Sequence, residues 1–153
     1  MSFDYENISL FELSEAQTRQ YIDAEASWRA FEDARRAARE VRGSMTWRSQ
    51  AGRRYLIRVA PSGAQTSLGP VSAENEQIYE RFMARKHLAE ARLKQLQDTV
   101  QQHQRLNRAL RVGRVPNLVV DTLNALASAG LESNFLTVGT HALYAYETAC
   151  GVR

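Results

Sequence analysis

Apolar residues recur at steps of three and four along the first third of the chain, as they do on one side of a helix. The stripe begins after Ser14, whose spacing to Gln17 is typical of a capping box, and it stops at Gly43. Its members are Tyr21, Ala24, Trp28, Phe31, Ala34, Ala38 and Val41. The pattern therefore predicts a long first helix that runs to about Arg42.

A second apolar stripe follows Ser72, a typical helix cap, and no proline interrupts it. Its members are Ile78, Phe82, Ala89, Leu93, Leu96, Val100, Leu106 and Leu110. A helix of about 40 residues would be roughly 60 Å long, more than a compact body of this size can bury. We therefore expect an antiparallel hairpin with the first helix, or a coiled-coil-like contact with another copy of the chain.

Between the two stripes the pattern alternates, as it does in short strands. Runs at 45–49, 53–59 and 65–68 are rich in strand-forming residues, and turns that contain glycine or proline separate them. Alternation divides the middle run between two faces, with Arg54, Leu56 and Arg58 on one and Tyr55, Ile57 and Val59 on the other. The region 44–70 is thus predicted to be a three-stranded antiparallel meander.

Past the second helix, Gly113 and Pro116 break the pattern, and a shorter amphipathic helix is predicted over 117–129. Its expected inward side chains are Leu118, Val119, Thr122, Leu123, Leu126 and Ala127. The run from Phe135 to Val138 predicts a strand, Gly139 a turn, and Thr140 the cap of a last helix. Such a turn presents free N–H groups, so it is either a candidate anion site or an ordinary strand-to-helix connection.

These elements define an α+β protein that is mostly helical, with a long helical hairpin and a small sheet. We divide the chain into an N-terminal arm with the first long helix at 1–43, the sheet at 44–70, the second long helix at 71–113 and a helix-strand-turn-helix segment at 114–153. Apolar residues among the first 13 positions are expected to hold the arm against the body.

Arginines cluster in two places. Arg48, Arg53, Arg54 and Arg58 occur with Trp47 and Tyr55 in the predicted sheet, and Arg105, Arg108, Arg111 and Arg114 follow at steps of three near the end of the second helix. Arginines beside aromatic residues can contact phosphates and stack bases, and the second series can surround a triphosphate or a polynucleotide. Both clusters also fit ordinary solvated surfaces, of a small sheet and of a helix C-terminus.

Composition narrows the class of protein. The chain has 153 residues, 44% of them hydrophobic and 24% charged, and its net charge of +3 does not argue for nucleic acid by itself. Cys150 is the single cysteine, which excludes an internal disulfide, and Met1 is followed by Asp4 and Glu6 rather than by the regions of a signal peptide. No apolar stretch is long enough to span a bilayer. We therefore expect a cytoplasmic protein with no membrane partner.

Several segments, in this order, resemble a bacterial family of nucleotidyltransferase-fold proteins of the polymerase-β type. The segments are 45–48 (MTWR), 52–56 (GRRYL), 67–70 (SLGP), 74–79 (ENEQIY), 105–116 (RLNRALRVGRVP) and 138–147 (VGTHALYAYE). The resemblance covers about 44–153. It implies that 114–153 opens a nucleotidyltransferase core and that Gly139 and Thr140 face the nucleotide triphosphate.

The family pattern also implies an Asp-x-Asp or Asp-x-Glu pair on a following strand, which holds two metal ions. The acidic residue that follows Gly139 is Glu147, on a predicted helix, so this chain is interpreted as the N-terminal portion of such a protein, inactive alone. We expect no catalytic residue and no metal site in it, and a role for Mg²⁺ only if the carboxylates are supplied elsewhere.

Two other functions remain open. One is a non-enzymatic nucleic-acid-binding module that uses the two arginine clusters. The other is an oligomerisation or partner-docking module built on the long helices. Partners are therefore expected to be a nucleotide triphosphate, a nucleic acid, another copy of the chain, or a protein that completes the core.

Overall fold

The computed structural model describes residues 11–152, and within them the chain forms four α-helices and three strands. The elements are α1 (Glu15–Glu40), β1 (Ser44–Gln50), β2 (Arg53–Val59), β3 (Gln65–Pro70), α2 (Ala73–Leu110), α3 (Asn117–Ala129) and α4 (Thr140–Ala149), with a 3-10 helix at Glu132–Asn134. Helices thus account for most of the described residues, and the predicted α+β class with its small antiparallel sheet is confirmed.

The three strands form an antiparallel meander in the order β1-β2-β3. In the register of β1 and β2, Ser44 lies opposite Val59 and Gln50 lies opposite Arg53. Ala51 and Gly52 between them have φ angles of 50° and 76°, the positive values that a two-residue hairpin turn requires. On the β3 side the register shifts between Leu56 and Ile57, which marks an irregularity in the pairing.

The chain divides into two compact units. One comprises Met1–Ala26 with Gln101–Arg153, described over 11–26 and 101–152, and the other comprises Ser27–Val100. Part of α1 and part of α2 belong to each unit. No helix in the described part of the chain is both long and apolar enough to cross a membrane.

In the unit Ser27–Val100, the sheet packs one face against α2. Leu56 at the centre of β2 is 0% exposed, and Met45 on β1 is also buried. The ring of Trp47, which lies opposite Leu56, is 6.0 Å from the ring of Tyr79 on α2. This face therefore holds the centre of the packing in this unit.

Two polar side chains of α2, in the same unit, hydrogen-bond to the backbone at the end of the sheet and just past the end of α1. The Asn75 side chain is buried and donates to the backbone oxygens of Leu68 and Pro70, at 3.3 and 2.8 Å. Lys86 on α2 donates from Nζ to the backbone oxygen of Gly43, just past α1, at 2.7 Å. Side chains of α2 therefore donate hydrogen bonds to backbone oxygens next to the first strand and in the last strand of the sheet.

In the other unit, α1 begins with the predicted capping box. The Ser14 N–H donates to Gln17 Oε1 at 2.9 Å, and the Gln17 N–H donates to Ser14 Oγ at 3.3 Å. Gln17 also donates from Nε2 to the backbone oxygen of Leu110, at 2.8 Å. The start of α1 therefore lies beside the end of α2 within this unit.

One turn further along α1, Gln20 is buried and joins the two helices through its amide. Its Nε2 donates to Asn107 Oδ1 at 2.8 Å and lies 3.2 Å from His103 Nδ1. Gln17 contacts Leu110, and Gln20 contacts residues nearer the start of α2, so the helices are antiparallel here.

The C-terminal region departs from the prediction in two respects. Residues Phe135 to Val138 carry no strand, although Phe135 has an extended backbone, because no strand pairs with them in the described residues. Thr140 is the first residue of α4 rather than its cap, a position that Gly139 occupies without a side-chain hydrogen bond. The helix 117–129 is confirmed, but its predicted inward residues Leu118, Thr122 and Leu123 are exposed.

Candidate functional site

The candidate turn is a glycine with a left-handed backbone directly before α4. Gly139 has φ 84° and ψ −162°, and a Cβ built on it would meet no atom within 4 Å. Its carbonyl accepts from the N–H groups of Ala142 at 3.0 Å and Leu143 at 3.3 Å. The N–H groups of Thr140 and His141 therefore precede the hydrogen-bonded part of the helix and are directed outward from its start.

An ion pair attaches the connection between α2 and α3 to α4. Arg114 donates from Nη2 to Glu147 Oε2 at 2.5 Å, and its guanidinium carbon lies 4.7 Å from the centroid of the Tyr144 ring. The hydrogen bond to Glu147 raises the pKa of Arg114 above its ordinary value. Arg114 is thus occupied by α4, which carries the candidate turn.

The four arginines at 105–114 do not share one helical side. α2 ends at Leu110, so Arg105 and Arg108 lie on its last turns while Arg111 lies past its end with a φ of 54°. All four arginines are exposed, and Arg114 is paired with Glu147. The predicted series extends beyond the end of α2. Residues that are three apart lie on one side only within a helix, so Arg111 and Arg114 are not aligned with Arg105 and Arg108.

The region around the candidate turn exposes a large amount of apolar surface, which we call the C-terminal apolar surface. Its members are Leu118, Val120, Leu123, Leu131, Phe135, Leu136, Val138, Leu143 and Tyr146. Leu136 is 85% exposed and Val138 is 73% exposed, and neither α3 nor α4 contains a buried residue. Large apolar side chains that are exposed in this number mark a candidate contact with a partner.

The four arginines of the sheet are divided between its two faces. Arg54 and Arg58 lie on the face that packs on α2, over the rings of Trp47 at 5.5 Å and Phe82 at 4.4 Å. Arg58 also donates to the backbone oxygens of Arg42, Ser44 and Val59, at 2.7, 3.1 and 3.3 Å. Arg58 therefore acts in the packing of this unit, because its guanidinium already has carbonyl partners and a ring beneath it.

Arg48 and Arg53 lie on the opposite face of the sheet, which we call the outer face, with Tyr55, Ile57 and Val59. Arg48 is opposite Tyr55 in the register, and it donates from Nη1 to Gln65 Oε1 on β3 at 2.8 Å. Arg48 and Arg53 are exposed, and Tyr55 is half-buried. The structure therefore divides the predicted basic cluster between the two faces of the sheet, with Arg58 half-buried and Arg48, Arg53 and Arg54 exposed.

An open cavity of about 530 Å³ lies at the start of α1, away from these residues. Its described lining is Ser14, Glu15, Ala16, Arg19, Gln20, Asp23 and Leu110. Arg19 and Glu15 at this cavity form an exposed ion pair at 2.6 Å. None of the predicted site residues appears in this lining, so the cavity adds nothing to the candidate turn.

Comparison with known proteins gives no family for the chain: no family model, no curated protein and no solved structure matches it. Within residues 11–152, no group of three or more His, Cys, Asp or Glu side chains is placed to hold a metal ion. The contacts of Tyr144 and Glu147 with Arg114 were not predicted from the sequence. Their spacing of three on one helix is the only local signal, and it does not name a partner 33 residues away.

Proposed function

We propose that this chain supplies the nucleotide-facing turn of a nucleotidyltransferase-like core, with Gly139 and Thr140 at the triphosphate. The observation that carries the proposal is the backbone of Gly139, whose positive φ leads into α4 with open space beside it. A phosphate can approach such a backbone closely because no side chain is in the way. The segment resemblance that covers residues 138–147 supports the same assignment.

The electrostatics of the turn favour an anion. The first N–H groups of a helix carry partial positive charge, and the helix dipole adds to it. α4 has no acidic residue in its first turn, so nothing there opposes a phosphate. Thr140 at the first helical position offers a hydroxyl that makes no described cap hydrogen bond.

The C-terminal apolar surface supports the further proposal that other elements complete this core. We assign its occupant as the carboxylate-bearing sheet of a nucleotidyltransferase core, supplied by a partner or by a further segment. The segment that carries this surface has few charges, as an apolar interface requires. Residues 115–152 contain no Lys or Arg and only three acidic residues, Asp121, Glu132 and Glu147. An uncharged apolar surface buries against a partner at a low desolvation cost.

The residues that the structure describes, 11–152, do not fit a two-metal site. Glu147 is the acidic residue that follows Gly139, and Arg114 holds its carboxylate. Nucleotidyl transfer needs two divalent ions that clamp the attacking and leaving oxygens. We therefore assign binding to this chain and no step of transfer.

Binding of nucleotide triphosphates to the purified chain, measured by isothermal titration calorimetry, tests the proposal. Gly139→Ala should weaken ATP or GTP binding by roughly tenfold or more, because a Cβ at this φ forces the backbone away from the phosphate. Gly63→Ala is the matched control, since Gly63 has a φ of 85° and open space around it but lies in the β2–β3 turn. Equal binding by Gly139→Ala and the unchanged chain would contradict the proposal.

A transfer assay with radiolabelled nucleotides and Mg²⁺ tests the second part. We expect no incorporation by the purified chain alone. Metal-dependent transfer that Gly139→Ala abolishes would contradict the assignment of binding without catalysis.

A further inference from the structure

The sheet and its flanks carry only positive charge. From Val41 to Ala73 the chain contains five arginines and no Asp or Glu. Over the whole unit Ser27–Val100, fourteen Lys and Arg residues stand against eight Asp and Glu residues, although the net charge of the chain is only +3. The positive charge of the protein is therefore concentrated in the unit that holds the sheet.

Arg48 and Arg53 on the outer face are both exposed, so a ligand can reach their guanidinium groups. Arg58 has three carbonyl partners and lies over Phe82, and Arg54 lies over Trp47 on the same packed face. Arg48 has one described hydrogen bond, to the neutral amide of Gln65, which a phosphate oxygen can replace at little cost.

On the outer face, a tyrosine ring lies between the two accessible arginines. Arg48 is directly opposite Tyr55 across the β1–β2 pair, and Arg53 is two residues before Tyr55 on the same strand. Residues two apart on a strand point to the same side, and directly opposite residues have Cβ atoms about 5 Å apart. The three side chains are therefore neighbours on the outer face, and together they make up a patch of two guanidinium groups and one phenol ring.

We propose that this patch binds single-stranded nucleic acid, with Tyr55 stacking on a base and Arg48 and Arg53 contacting the flanking phosphates. The charge of the unit fits a polyanion, and the ring between two guanidinium groups fits a chain in which bases and phosphates alternate. A duplex cannot offer an unstacked base to the ring, so the patch favours single strands. This proposal does not depend on the nucleotide site at Gly139, which lies in the other unit.

Fluorescence anisotropy of labelled single-stranded DNA and RNA oligomers with the full chain tests the proposal. Arg48→Ala and Arg53→Ala should each weaken binding roughly threefold to tenfold and lower the salt slope by about 1. Arg54→Ala is the matched control, because Arg54 is also exposed and adjoins Arg53 but lies on the opposite face of the sheet, over Trp47, and it should leave binding unchanged.

A pair of tyrosine variants separates stacking from charge. Tyr55→Phe should keep the affinity, whereas Tyr55→Leu should lose about fivefold or more because it fills the space without a ring that stacks. Gly139→Ala should bind the oligomers normally, which keeps this result separate from the nucleotide proposal.

Three results would overturn the proposal. The first is no anisotropy change at low salt. The second is a loss in Arg54→Ala equal to that in Arg48→Ala, which would mean general charge attraction. The third is duplex binding as tight as single-strand binding together with an unaffected Tyr55→Leu variant.

Discussion

Arg114 and Glu147 are joined by an ion pair that fastens the α2–α3 connection to the last helix. The guanidinium donates to the carboxylate at 2.5 Å and covers the ring of Tyr144. Glu147 lies on α4, which begins directly after Gly139, so the pair helps to fix the position of the candidate turn.

Arg114→Gln should therefore lower the Tm slightly, because both the ion pair and the contact with the Tyr144 ring are lost. Arg111→Gln is the control, since Arg111 is exposed and its removal should leave the Tm unchanged. Differential scanning calorimetry measures both. An Arg114→Gln variant as stable as the Arg111→Gln variant would contradict a structural role for the pair.

The pH dependence of this effect follows from the raised pKa of Arg114. A group whose pKa is higher in the folded state gives stability that is present below its unfolded pKa and is lost only as pH rises through the folded value. An arginine of the unfolded chain stays protonated far above neutral pH, so the stability difference between Arg114→Gln and the unchanged chain should stay constant from neutral pH to about pH 10. A difference that disappears within this range would contradict the assigned cause.

Leu56 should be the most costly single truncation in the sheet. It is 0% exposed, and Leu56→Ala leaves a cavity that should cost about 2–5 kcal/mol in the free energy of unfolding. Leu88→Ala on α2 is the control, because Leu88 is 73% exposed and its truncation should change stability by less than about 0.5 kcal/mol. Urea unfolding followed by tryptophan fluorescence measures both values, and equal costs would contradict the packing described for this face.

The side-chain amide of Gln20 should contribute to the free energy of unfolding. It is buried, and Gln20→Ala leaves Asn107 Oδ1 without its donor, which should cost about 1–3 kcal/mol. Gln102→Ala, at an exposed position of α2, should change stability little. Chemical denaturation of the two variants checks this, and an unaffected Gln20→Ala variant would show that the amide contacts add no net stability.

The C-terminal apolar surface should bind a hydrophobic dye. Leu136→Ser with Val138→Ser should reduce ANS fluorescence without lowering the Tm, because both side chains are exposed in the folded chain. Leu88→Ser removes one exposed leucine from a different surface and should reduce ANS emission much less. Unchanged emission from the double variant would mean that this surface is covered in solution.

The long periodic elements could be predicted from the sequence, whereas the contacts between distant residues could not. The stripe from Tyr21 to Val41 and the capping box at Ser14 define α1 through local spacing alone. The alternation at 53–59 predicted β2 with the bounds that the structure has. It also placed Arg54 and Arg58 on the face opposite Tyr55, which the structure confirms. It did not reveal which face packs on α2, since that depends on the rings of Tyr79 and Phe82 far along the chain.

The candidate turn shows the same limit. The glycine before the helix predicted a turn at Gly139, because that signal is local, and the structure gives this glycine a positive φ. A strand needs a neighbour to accept its hydrogen bonds, so the β-branched composition of 135–138 was not sufficient to form one. The pairing of Arg114 with Glu147 follows from the fold and has no signature in either segment.

A titration of the ¹⁵N-labelled chain with ATP and GTP, followed through backbone amide chemical shifts, tests directly whether the triphosphate binds at the turn before α4. We expect the amides of Gly139, Thr140 and His141 to shift first and to saturate together, and we expect Gly139→Ala to remove these shifts while Gly63→Ala retains them. Shifts confined to Arg105, Arg108 and Arg111, or to the outer face of the sheet, would contradict the assignment of the triphosphate to the turn before α4.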